Sequence, residues 1–105
     1  MRVLIADDEF LIREVLKANL EISGFEVVGE AENGSIAVQK YQELRPDIVI
    51  MDFKMPIMDG FQATREIVSI DSSAKVVIVS AMRYKQLIEQ AIESGAKHFM
   101  EKPFH

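Results

Sequence analysis

The chain has 105 residues, which fits one domain of ordinary size, and no apolar run approaches the ~20 residues of a membrane span. With 49% hydrophobic and 28% charged residues it has a globular profile, and its formal charge of −5 leaves no electrostatic footprint for direct nucleic-acid binding. It has no cysteine, which excludes disulfides, thiol catalysis and any Cys-based metal site.

Arg2-Val3-Leu4-Ile5-Ala6 is a continuous apolar run that suits a strand buried on both faces, and it runs straight into Asp7-Asp8-Glu9. The spacing of Ile12, Val15, Leu16 and Leu20 predicts a helix from about Phe10 to Ser23, closed by Gly24. Phe25 to Glu30 alternates, as an edge strand does. Asn33-Gly34 reads as a turn, with Ser35 expected to cap a helix that runs to Leu44 and is closed off by Pro46. Ile48-Val49-Ile50-Met51-Asp52 is a second fully apolar strand that ends in a carboxylate, followed by a loop punctuated by Pro56 and Gly60. A helix is predicted over Phe61–Ile70, a buried strand over Val76–Val79 ending in Ser80-Ala81, and a helix over Lys85–Ser94 stopped by Gly95. Lys97 to Glu101 is the last strand, and it ends in Lys102-Pro103.

The order β-α-β-α-β-α-β-α-β implies a parallel sheet with right-handed crossovers and helices on both faces. A doubly wound α/β sheet of order 2-1-3-4-5 is expected, with its chemistry at the carboxyl ends of the strands. Four separate strand ends carry polar groups: Asp7-Asp8, Asp52, Ser80 and Lys102. Taken singly, the two aspartates are helix-cap residues, the serine a turn residue and the lysine a solvated surface group. Their joint placement at one sheet edge is the signal. Three carboxylates and one ammonium leave a formal −2, the charge that one divalent cation balances, and hard oxygen ligands favour Mg²⁺. A cation held by Asp7, Asp8 and Asp52 leaves the second oxygen of Asp52 free as a nucleophile. Accepting a phosphoryl group there needs charge neutralisation on the transferred oxygens, which Lys102 and the Ser80 hydroxyl supply beside the metal. No histidine stands at this edge, since His98 lies within a strand and His105 is the last residue. The methionines read as core and loop packing.

These stretches resemble the receiver domain of bacterial two-component response regulators, in particular the single-domain chemotaxis type. The resemblance is carried by Val3-Leu4-Ile5-Ala6-Asp7-Asp8, Pro46-Asp47-Ile48-Val49-Ile50-Met51-Asp52, Met55-Pro56-Ile57-Met58-Asp59-Gly60, Val79-Ser80-Ala81 and Gly95 to Phe104. It implies a flavodoxin-like fold and a phosphorylation-operated signalling switch, with Asp52 as phosphoacceptor. It further implies that Asp7, Asp8, Asp52 and the backbone carbonyl of Lys54 hold Mg²⁺. By the same resemblance Lys102 pairs with the phosphoryl group, and Ser80 and Phe99 take the switch positions. Lys54 and Met82 would tune the lifetime of the phosphorylated state, and a cis Lys102–Pro103 bond is expected. The implied partners are a sensor histidine kinase, with a small acyl phosphate as an alternative donor, and a downstream effector met by the surface around the fourth helix and fifth strand. That effector is a flagellar motor, a phosphatase or an attached output domain. The domain catalyses its own phosphorylation and hydrolysis but is no metabolic enzyme, and a cytoplasmic setting is expected.

One departure concerns the fifth helix that family members carry after the Lys-Pro-Phe stretch, which is absent here. One sheet face then has only the first helix, so either the sequence is a fragment or something else covers that face; a chain ending at His105 is expected to associate through it, exchange an element with a neighbour or be only marginally folded. Two rivals fit less well. An aspartate-nucleophile phosphohydrolase would carry a second Asp two residues past its nucleophile, where this chain has Lys54. A flavodoxin-like cofactor domain would want a Gly- or Ser/Thr-rich phosphate loop where Asp7-Asp8-Glu9 stands. The sequence leaves open whether the unit acts alone or as the amino-terminal part of a transcription factor or methylesterase.

Overall fold

A computed structural model describes residues 1–102. The elements follow in the order β1 (Arg2–Ala6), α1 (Phe10–Ile22), β2 (Glu26–Ala31), α2 (Gly34–Leu44), β3 (Ile48–Asp52), α3 (Gly60–Ile70), β4 (Val76–Ser80), α4 (Lys85–Ser94) and β5 (His98–Glu101). All strand pairings are parallel and the sheet runs β2-β1-β3-β4-β5, as expected from the alternation of elements. β1 and β3, whose following helices lie on opposite faces, are neighbours, so the switch point lies between Asp7 and Asp52. No helix among the described residues is long and apolar enough to cross a membrane.

Side chains leave the central strands alternately to two faces, the period-2 rule of extended backbone. Leu4, Ala6, Val49, Met51, Val76 and Ile78 join the larger core with residues of α2, α3 and α4. Val3 and Ile5 form the smaller one with Leu16 of α1, flanked by half-buried Ile48 and Ile50. Among the described residues α1 is the one helix on that face. Val77 stays half-buried, and Met100 of β5 remains 44% exposed.

The helix ends show where local signals were misread. The cap of α2 is Asn33, not Ser35: its side chain accepts from the Ile36 amide, while Ser35 lies exposed in the first turn. Asp59 caps α3 in the same way through the Gln62 amide, so that helix begins one residue earlier than its apolar pattern. In α1 Val15 is 49% exposed although it shares the helical spacing of Leu16, because it lies beyond the strip that touches β1 and β2. Gly24 and Gly95 take the left-handed turn that ends α1 and α4, at φ 92° and 100°.

Candidate functional site

Asp7 follows β1 and is buried, whereas Asp8, one residue on, is exposed. Asp52 closes β3 at 6% exposure, and Ser80 closes β4 fully buried. The Lys102 amide donates to the Ser80 carbonyl at 2.7 Å, which extends the β4–β5 ladder and brings Lys102 to the same edge. Each of Asp7, Asp8 and Asp52 offers a carboxylate oxygen, and these oxygens lie within 4.8 Å of one another. The Lys102 Nζ donates to Asp7 Oδ2 at 2.7 Å and lies 3.5 Å from Asp52 Oδ1. A cleft lined by Asp8, Asp52, Lys54, Ser80, Met82 and Lys102 opens above the carboxylates, with Asp7 beneath it.

The backbone around the cleft is tightly fixed. The Asp7 amide donates to Ala31 of β2, and Asp7 Oδ1 accepts from the Glu9 amide, both at 2.9 Å. Ser80 Oγ accepts from the Met82 amide at 3.0 Å, which folds the loop after β4 over the serine. The Gly60 amide donates to the Phe53 carbonyl at 2.8 Å, and a Cβ on Gly60 would stand 2.2 Å from the Asp52 carbonyl oxygen. Glycine is therefore required where α3 starts against the end of β3. The intervening loop turns through Ile57 at φ 72°, with the Met58 amide donating to the Pro56 carbonyl.

Electrostatics follow from this crowding. Burial, then the charge of Asp7, pushes the Asp52 carboxyl up to about 6, against the opposing pull of Lys102. Burial drives the Lys102 ammonium down, but its bond to Asp7 and the charge of Asp52 outweigh that and leave it raised. The pocket thus holds more negative charge than one ammonium balances. Its hard oxygen donors suit a small divalent cation of the Mg²⁺ kind.

The sequence-based site set is thus largely reunited, with Asp7, Asp8, Asp52, Ser80, Lys102, Lys54 and Met82 in or under one cleft. Phe99 is not among them. It pairs with Ile78 in register, is half-buried and packs against the larger core, lining a separate groove beside Ile88 and Ile92 of α4. The Lys102–Pro103 bond lies outside the described residues. Two residues beside the site had no sequence signal that singled them out, Arg13 and Glu30. Arg13 lies one step past the apolar Ile12 and reads as an ordinary helix surface charge, yet its Nη1 donates to the Asp7 carbonyl at 2.7 Å.

A doubly wound sheet with an acidic triad and a lysine at its switch point is the architecture of a receiver, and the chain belongs to the response regulator receiver domain family, whose sequence pattern matches residues 3–105. It is a signalling switch worked by phosphorylation, not a metabolic enzyme. Among its relatives, the chemotaxis protein CheY of Thermotoga maritima is 50% identical over 103 residues, covering 98% of this chain and 86% of that protein. CheY of Bacillus subtilis shows the same identity and coverage. Among solved structures, CheY in the CheX–CheY–BeF3–Mg complex of Borrelia burgdorferi superposes with a TM-score of 0.96 at 34% identity, covering 100% of this chain and 80% of that one.

Proposed function

We propose that Asp52 is the phosphoacceptor, and that Asp7, Asp8, Asp52 and the backbone carbonyl of Lys54 hold Mg²⁺. The observation that carries this reading is the meeting of three carboxylates within 4.8 Å beside the Lys102 ammonium. An oxygen of ionised Asp52 attacks phosphorus in line. The new P–O bond forms as the donor's P–N or P–O bond breaks, and the leaving imidazole or carboxylate carries away the bonding pair. Lys102 supplies a point charge to the transferred oxygens, and the Ser80 hydroxyl a hydrogen bond. When bound, the cation neutralises charge on carboxylates and phosphoryl oxygens alike.

The donor is a sensor histidine kinase or a small acyl phosphate. Modification at Asp52 biases a two-state equilibrium read by an effector, with Ser80 and Phe99 as the moving parts. Met82 and Lys54, at the mouth of the cleft, set water access and so the lifetime. The two CheY relatives favour a chemotaxis-type output, and the CheX–CheY complex among the structural neighbours supports a separate protein as partner. The reading takes residues 1–105 as one receiver unit in the cytoplasm.

Incubation with acetyl phosphate and Mg²⁺ is expected to add one phosphoryl group by mass, and Asp52→Asn to abolish the addition. Full labelling of the Asn variant would overturn the assignment.

A further inference from the structure

The Asp8 carboxylate is exposed and makes no hydrogen bond to another protein group among the described residues, so what the fold fixes is the point and direction from which its side chain leaves the backbone. That backbone is held from two sides. On one, the Glu9 amide donates to the Asp7 carboxylate at 2.9 Å. On the other, Arg13 Nη1 donates to the Asp7 carbonyl at 2.7 Å. The Asp7 carbonyl belongs to the peptide whose nitrogen is that of Asp8. Fixing that oxygen fixes the plane from which the Asp8 side chain departs.

Arg13 is itself well anchored. Its Nε donates to Glu30 Oε1 at 3.1 Å, and its guanidinium sits over the Phe10 ring, 5.7 Å from the centroid. The side chain is 14% exposed. Lys40 Nζ donates to the Glu30 carbonyl, which fixes the end of β2 that carries the anchoring carboxylate. The planar guanidinium therefore spans from the end of β2 to the loop after β1. A lysine ammonium reaches one of these partners but does not reproduce the fork.

We propose that Arg13, anchored by Glu30, is a positioning residue for the cation site, acting through the Asp7 carbonyl on the direction of Asp8. This rests on Asp7, Asp8 and Asp52 being cation ligands. The charge of Arg13 works against that role, since a nearby cation repels a divalent ion. Removing it tightens the site if charge alone matters and loosens the site if position matters. The two accounts differ in sign.

The test is Mg²⁺ titration of the full chain at fixed ionic strength, followed by backbone amide shifts, for the parent, Arg13→Met, Arg13→Lys, Glu30→Gln and Asp8→Ala. Arg13→Met is expected to weaken Mg²⁺ about 10-fold, the range for removing a group that orients a ligand. Glu30→Gln is expected to weaken it less, and Arg13→Lys to remain clearly below the parent. In an Asp8→Ala background Arg13→Met should cause little further loss, because the two act through one carboxylate. Equal or tighter binding by Arg13→Met, full affinity in Arg13→Lys, or additive losses in the double variant would overturn the proposal while leaving the site intact. A parent chain that binds no Mg²⁺ would overturn the cation site and the role of Arg13 together. If Arg13→Met fails to fold, as its amide spectrum would show, Arg13→Lys and Glu30→Gln decide the matter.

Discussion

Asp52→Asn should make the metal-free protein more stable, although it removes the group on which the proposed chemistry depends. In the native state the Asp52 carboxyl is pushed from an ordinary 3.8 up to about 6. The folded protein therefore holds this proton more tightly than the unfolded chain does. The stability it contributes is fully present below pH 4 and is lost as pH rises through about 6. At about 1.4 kcal/mol per tenfold change in proton affinity, the rise from 3.8 to about 6 sets a ceiling of about 3 kcal/mol on the cost of ionised Asp52 at neutral pH. The Asn variant keeps the side-chain shape and removes that cost, while Lys102 retains its 2.7 Å bond to Asp7. The pull of the 3.5 Å Lys102–Asp52 pair is already contained in that net rise. Urea unfolding with a chelator present should show the variant about 1–3 kcal/mol more stable at pH 7.5. The difference should shrink steadily to little at pH 4. Added Mg²⁺ should stabilise the parent more than the variant, because a ligand that binds the folded state raises its stability by mass action. A variant no more stable than the parent at pH 7.5, or a gain that persists unchanged at pH 4, would refute the reasoning.

Three further outcomes are expected. Asp8→Ala should weaken Mg²⁺ and slow labelling by acetyl phosphate, while thermal stability without metal holds or rises; an unchanged metal titration would remove Asp8 from the site. Met82→Glu should change the rate at which the phosphorylated form decays, with Mg²⁺ affinity nearly intact, since Met82 lines the cleft; identical decay in both proteins would contradict it. A polypeptide of residues 1–105 made without further sequence should associate through the face of half-buried Val77 and exposed Met100, because covering an apolar side chain is worth roughly 1.5–3 kcal/mol. Light scattering that shows a monodisperse monomer would count against that surface.

The sheet was legible because its strands are unusually plain. Val3 to Ala6, Ile48 to Met51 and Val76 to Val79 are apolar without interruption, so only a strand covered on both faces suits them. Each ends in a residue that has no place in such a core, and strand ends on a parallel sheet meet at one edge. The site could thus be assembled from Asp7, Asp52, Ser80 and Lys102 before any distance was known. Legibility failed wherever the outcome hung on side-chain reach. Ser35 and Asn33 are both good cap residues, and the backbone entering α2 chose between them. Val15 shares the period of Leu16, yet a helix lying over β1 and β2 leaves it 49% exposed. Arg13 bonds a carbonyl, and no pattern of residue types marks which carbonyl a guanidinium will find.

The contact between Lys102 and Asp7 joins positions 95 residues apart. Asp7 therefore leaves the ribosome 95 residues ahead of Lys102. Until Lys102 has emerged, the carboxylates of Asp7, Asp8 and Asp52 exist without the ammonium that partly offsets them. β5 is also the outermost strand on its side of the sheet, and it delivers Lys102 only when it pairs with β4. The same step brings the Lys102 amide onto the Ser80 carbonyl. A nascent or refolding chain that has laid down the other four strands therefore still lacks the Lys102 ammonium of the pocket. The docking of β5 on β4 is thus also the step that closes the charge network of the cleft.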